Sequence, residues 1–125
     1  MLKKLEKKRA IPLIITILIA TEIFFYSTIT GETSTGIFKL NLAIFYHLGI
    51  FFLFSFFLLI TIKGENKINL KYFLIVLFIS IAYGVSDEIH QYFVPGRSSA
   101  LRDVVFNSIG SLFGIGVYFF VDKKK

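Results

Sequence analysis

YFLIVLFISIAYGVSDEIHQYFVPGR, residues 72–97, decides how this chain folds. Its first fifteen residues, 72–86, carry no charge. A helix of that length rises about 22 Å at 1.5 Å per residue. The hydrocarbon core of a bilayer is about 30 Å thick. Either the bilayer thins here or the helix continues through Asp87, Glu88 and Gln91. Continuation is the better reading, and it sets these polar groups at or just beneath one membrane surface. Pro95 and Gly96 then supply a strong turn signal that ends the helix.

The rest of the chain agrees with a membrane setting. It has 125 residues, 55% hydrophobic and only 18% charged, with sixteen Phe, no Trp and no Cys. Mean hydropathy is +0.74. A soluble domain of this size needs more charged surface. Four apolar blocks approach the roughly 20 residues a spanning helix requires: residues 11–30, 42–62, 72–92 and 101–121. The fold expected is therefore all-α, an integral membrane four-helix transmembrane bundle forming one domain. KKLEKKR before the first block resembles the start of a signal peptide, but no A-x-A-like cleavage site follows, so an uncleaved span is expected. Pro12 stands at the start of that span, where its missing N–H costs little.

The net charge is +6, yet the basic residues lie in short runs flanking apolar blocks. That pattern gives topology and argues against nucleic acid as a partner. Eleven Lys and Arg fall on one side: Lys3, Lys4, Lys7, Lys8, Arg9, Lys63, Lys67, Lys71, Lys123, Lys124 and Lys125. Three fall on the other, Lys39, Arg97 and Arg102. Both termini are thus expected in the cytoplasm. The loop at residues 31–41 and the Pro95–Gly96 corner face outward.

Polar residues collect at that outer level. Glu22, His47, Glu88, Asp103 and Asn107 bring at least one such group from each span, with no comparable cluster in the inner half. Ionisable groups in a span cost about 3 kcal/mol on insertion scales, so they usually face a bundle interior or a wet cavity. The plainer alternative for Glu22 and His47 is hydration among lipid headgroups. Gly84, Glu88 and Gln91 share one face of the third span, at i, i+4 and i+7. Asp103, Asn107, Gly110 and Gly114 share one face of the fourth. Gly110 and Gly114 form a GxxxG pair, which admits a close neighbour. The simplest arrangement packs these two faces together, so that Glu88 and Gln91 meet Asp103 and Asn107. A second face of the third span, Tyr83, Asp87 and His90, has no glycine partner and ranks below it.

Ser98 or Ser99 is suited to cap the fourth helix. Arg97 and Arg102 flank that helix end, an arrangement suited to a phosphate or carboxylate. The competing reading pairs Arg97 with Glu88 or Asp103 and leaves Arg102 among headgroups. No HExxH or paired-His spacing appears, so no metal and no cofactor is assigned. No serine sits in a nucleophile context.

The segment EIHQYFVPGR, followed by DVVFNSIG, resembles the signature of the VanZ-like family, named for a teicoplanin-resistance protein. That signature is approximately E-x-x-Q-x-F-x-P-x-R and then D-x-x-x-N-x-x-G. Tyr83, Glu88, Gln91, Arg97, Asp103, Asn107 and Gly110 carry the match. His47 corresponds to a histidine the family tends to have. The Asp-Lys pair often found before it is replaced here by Ala43 and Ile44. The resemblance implies a small four-helix protein of the bacterial cytoplasmic membrane, linked to the cell envelope and glycopeptide antibiotics.

Two functions are therefore expected to compete. One is binding of membrane lipids, a lipid-linked cell-wall precursor or a glycopeptide, using Tyr83, Glu88, Gln91, Arg97, Arg102, Asp103 and Asn107. The other is an enzyme on such a lipid, with Glu88, Asp103 or His47 as general base. A pore is disfavoured, because Thr16, Ser55, Thr61 and Ser80 offer no charged path.

Overall fold

A computed structural model describes residues 1–29 and 37–123 of the chain. It comprises α1 (Leu2–Lys7), α2 (Ala10–Thr28), α3 (Ile37–Lys63), α4 (Leu70–Tyr92) and α5 (Leu101–Lys123), with no strand among the described residues. Helices α2 to α5 are each long and apolar enough to cross a membrane. The four expected spans are therefore present. Residues 30–36, which hold most of the expected outer loop, and residues 124–125 lie outside the described residues.

Two boundaries differ from expectation. Helix α3 begins at Ile37, not near residue 42, because FKLN continues the helix ahead of the apolar block. The KKLEKKR segment is not only a topology signal: most of it coils into α1. Pro12 falls in the first turn of α2, among the N–H groups that have no helical partner anyway.

The membrane is visible in which side chains are left uncovered. No more than a third of any span's most apolar window is buried within the chain (22–33%). Phe78 and Phe120 are both 74% exposed. Such surfaces are stable in hydrocarbon and not in water.

Helix α3 is the central element and packs against all four other helices. It supplies Phe51, Phe54, Leu58, Leu59 and Ile60 to the buried core. The remainder come from Ile23 of α2, Val76 of α4, and Ile115 and Tyr118 of α5. Its closest partner is α5, and the GxxxG pair explains why. A methyl added at Gly110 would strike the Leu48 carbonyl. One at Gly114 would strike the Phe52 carbonyl and Ser55 Oγ. Ser55 Oγ also donates to the Ser111 carbonyl at 3.0 Å. The expected α4 partner for this pair is thus corrected to α3. Gly84 of α4 does meet α5: a Cβ there would lie 3.2 Å from Asn107 Nδ2 and 3.4 Å from Phe51 Cε1.

Two glycines end helices or turn the chain. Gly64, at φ 56°, donates its N–H to the Ile60 carbonyl at 2.9 Å and closes α3 in the left-handed conformation. Gly96, at φ 76°, follows Pro95 in a turn closed by Arg97 N–H to Val94 O at 3.2 Å. Pro then Gly with positive φ is the type II pattern.

The half of the bundle expected to face inward is not free of buried charge, contrary to expectation. Glu6 of α1, Lys63 of α3 and Tyr118 of α5 are all buried. Tyr118 donates its hydroxyl to Glu6, and Lys63 Nζ lies 3.6 Å from Glu6 Oε1. Lys63 also donates to the Gly64 carbonyl at 3.0 Å and stands 5.4 Å from the Tyr118 ring centre. The carboxylate that makes this cluster comes from α1, and α1 could not be read from an apolar period.

Candidate functional site

At the opposite end from Glu6, the polar side chains separate into two buried groups and a rim. The separation follows from helix geometry. Consecutive residues point about 100° apart around a helix, so Asp87 and Glu88 serve different neighbours.

The first group joins α2 and α4. Ser27 donates to Asp87 Oδ1, and Gln91 Nε2 donates to Asp87 Oδ2 at 2.8 Å and to Ser27 Oγ at 3.2 Å. All three residues are buried. Gln91 therefore turns toward α2 and does not meet Asp103 or Asn107 as expected. Tyr83 also faces α2: its hydroxyl donates to the Ala20 carbonyl at 2.6 Å, and its ring stacks on Phe54. It packs between helices and does not reach the second group.

The second group joins α3, α4 and α5. His47 Nδ1 and Asn107 Oδ1 are 2.8 Å apart. An amide oxygen only accepts, so Nδ1 carries the proton. His47 Nε2 then lies 3.8 Å from Asp103 Oδ2, beyond hydrogen-bond reach. Glu88 completes the set, with ligand atoms of His47, Glu88 and Asp103 all within 4.8 Å of one another. Glu88 Oε2 accepts the Ala100 N–H at 3.1 Å, tying α4 to the start of α5. Because α5 begins at Leu101, neither Ser98 nor Ser99 occupies its N-cap position, and Glu88 serves the adjoining N–H instead. Glu88 Oε1 and Asn107 Nδ2 are buried without a hydrogen-bond partner. The predicted convergence of Glu88, Asp103, Asn107 and His47 is thus present. The group is closed, however: Glu88 is 4% and Asp103 8% exposed.

The rim holds the two guanidinium groups, and they diverge. Arg102 Nε is 3.7 Å from Asp103 Oδ1, with its side chain 53% exposed. Arg97 Cζ stands 5.1 Å from the Tyr26 ring centre, over α2. The competing reading, an ion pair with Glu88 or Asp103, is thus not the contact it makes, which is cation–π. Tyr26 in turn packs against Tyr46, with ring centres 4.3 Å apart and planes tilted by 31°, and the Tyr46 hydroxyl donates to Glu22 at 3.0 Å. Glu22 is exposed, in line with its plainer interfacial reading.

The VanZ/LLP1 family model matches residues 9–122. The chain belongs to the VanZ/LLP1 family. No curated protein and no solved structure matches it. The match covers all four spans of this VanZ/LLP1 chain, so the buried groups and the arginine rim all lie within the family region.

Sequence reasoning assigned no partner to Ser27 or Tyr26, did not single out Tyr46, and ranked the Asp87 face below that of Glu88. Ser27 shares α2 with Thr16, Thr21 and Glu22, so its polarity alone does not mark it. The three-helix set His47, Glu88 and Asp103 has no local spacing to betray it as a unit, since each member comes from a different helix.

Proposed function

We propose that this chain resides in the bacterial cytoplasmic membrane with its Arg97–Arg102 end facing outward, and that this end binds the anionic headgroup of an envelope lipid or lipid-linked cell-wall precursor. The observation that carries the reading is Arg102, half exposed above a buried Asp103 that it neutralises only in part. A phosphate-bearing headgroup approaching the rim meets Arg102 first, with Arg97 across the α4–α5 connection. Charge-assisted hydrogen bonds to guanidinium are among the stronger polar contacts. The buried group beneath is too enclosed for a headgroup, so it shapes the rim and does not itself receive the lipid. Such binding would alter how glycopeptides such as teicoplanin reach their target.

The test is flotation of the purified chain with vesicles containing an anionic phospholipid, compared with neutral vesicles. Arg102→Ala should weaken retention about tenfold, the equivalent of about 1.4 kcal/mol and close to the lower end for one charged hydrogen bond. Equal retention of wild type and variant would sink the reading.

The convergence of His47, Glu88 and Asp103 favours one other reading, an enzyme in which this group opens to the rim and uses general acid–base chemistry on such a lipid. A lipid or precursor pool that changes on overexpression, and fails to change with Glu88→Gln, would select it.

A further inference from the structure

We propose that His47, Glu88 and Asp103 form a binding site for one divalent first-row transition cation. The inference deepens the lipid-binding reading and rests on it only for the cation's purpose.

Three independent observations converge. The first is the donor set. One imidazole nitrogen and two carboxylates, all buried, lie within 4.8 Å of one another. Imidazole with carboxylate suits zinc or manganese better than magnesium or calcium, which prefer all-oxygen shells.

The second is the state of His47. Its Nδ1–H is committed to Asn107 Oδ1. A hydrogen bond of that kind fixes the tautomer and aims the other nitrogen at a metal. When the ring is neutral, its free lone pair is on Nε2, which lies 3.8 Å from Asp103 Oδ2. That separation is too long for a hydrogen bond. Two metal–ligand bonds of about 2.0–2.2 Å span up to about 4 Å, so this gap fits a cation. The remaining donors need draw in by less than about 1 Å.

The third is an orphaned atom. Glu88 is 4% exposed, and its Oε1 has no hydrogen-bond partner. Arg102 stands beside Asp103, leaving the Glu88 carboxylate without a cationic partner among the described residues. A buried carboxylate oxygen without a counter-ion is costly. A divalent cation supplies the opposite charge and takes an oxygen lone pair. Three protein ligands leave a coordination position open. The enclosure of the group admits an ion and excludes a headgroup.

The experiment uses the full chain in detergent, free of tags and lipid, stripped with a chelator and then offered Zn²⁺ or Mn²⁺. About one metal per chain is expected by elemental analysis. Glu88→Gln, Asp103→Asn and His47→Gln should each weaken uptake by more than about tenfold. Glu65→Gln, at the exposed α3–α4 connection, should not. Failure of the stripped wild type to take up either ion, or undiminished uptake by all three variants, overturns the site. Should the substitutions prevent folding, the Mn²⁺ spin resonance of a His90→Asn chain decides. The chain has two histidines, so nitrogen coupling there must come from His47, and its absence overturns the site. A chain that binds Zn²⁺ but no anionic vesicle upholds the cation site and overturns the lipid reading. The reverse result does the reverse.

Discussion

Single side chains at the Asp87 end are held by a few buried hydrogen bonds, each with no substitute nearby. Asp87 takes one donor from Ser27 and one from Gln91. Ser27→Ala removes a donor from a buried carboxylate, which costs about 1–3 kcal/mol. Ser98→Ala, at an exposed position, should stay within about 0.5 kcal/mol. Thermal unfolding in detergent, followed by circular dichroism, separates the two. The expectation fails if both variants melt together. Asn107→Ala should behave like Ser27→Ala, since it strips His47 Nδ1 of its acceptor. At this scale the sequence identified which residues matter better than whom they touch. Glu88 and Asp103 were legible because charge in a span is rarely idle. The divergence of Gln91 from Glu88 was not. Helical spacing places i and i+3 on neighbouring sides, and only the position of α2 decides which side each residue serves.

Between elements, the α3–α5 contact depends on missing methyl groups. Gly110→Ala forces a Cβ into the Leu48 carbonyl, and Gly114→Ala into that of Phe52. Backbone cannot yield as a flexible side chain can, so each should cost about 1–3 kcal/mol as an overpacked substitution. Gly116→Ala meets open space and should be neutral or gain up to about 1 kcal/mol from helix propensity. All three sit on one helix within two turns, so the same melting measurement compares them directly. A uniform response would show that α5 packs by some other face. The spans themselves were legible because apolar blocks of about 20 residues have few alternatives. The partner of the GxxxG pair was not. In lipid every helix is apolar on most sides, and hydropathy does not label which neighbour a glycine face will meet.

For the molecule as a whole, the charge asymmetry predicts a sidedness that can be read chemically. The chain has no cysteine, so single cysteines are clean reporters. Ser98→Cys should react with an impermeant maleimide in intact cells, and Asn66→Cys only after permeabilisation. The opposite pattern would invert the bundle and remove the outward-facing rim. Helix α1 escaped the sequence reading because its short basic stretch looks like a charge signal and its partners lie far along the chain. That distance has a consequence for biogenesis. The Glu6 carboxylate receives a hydroxyl from Tyr118, 112 residues later, so this cluster is assembled in full only after the last span has been made. A product truncated before α5 would keep Lys63 beside Glu6 and lose the hydroxyl. The end of the chain made first is thus tied to the helix made last.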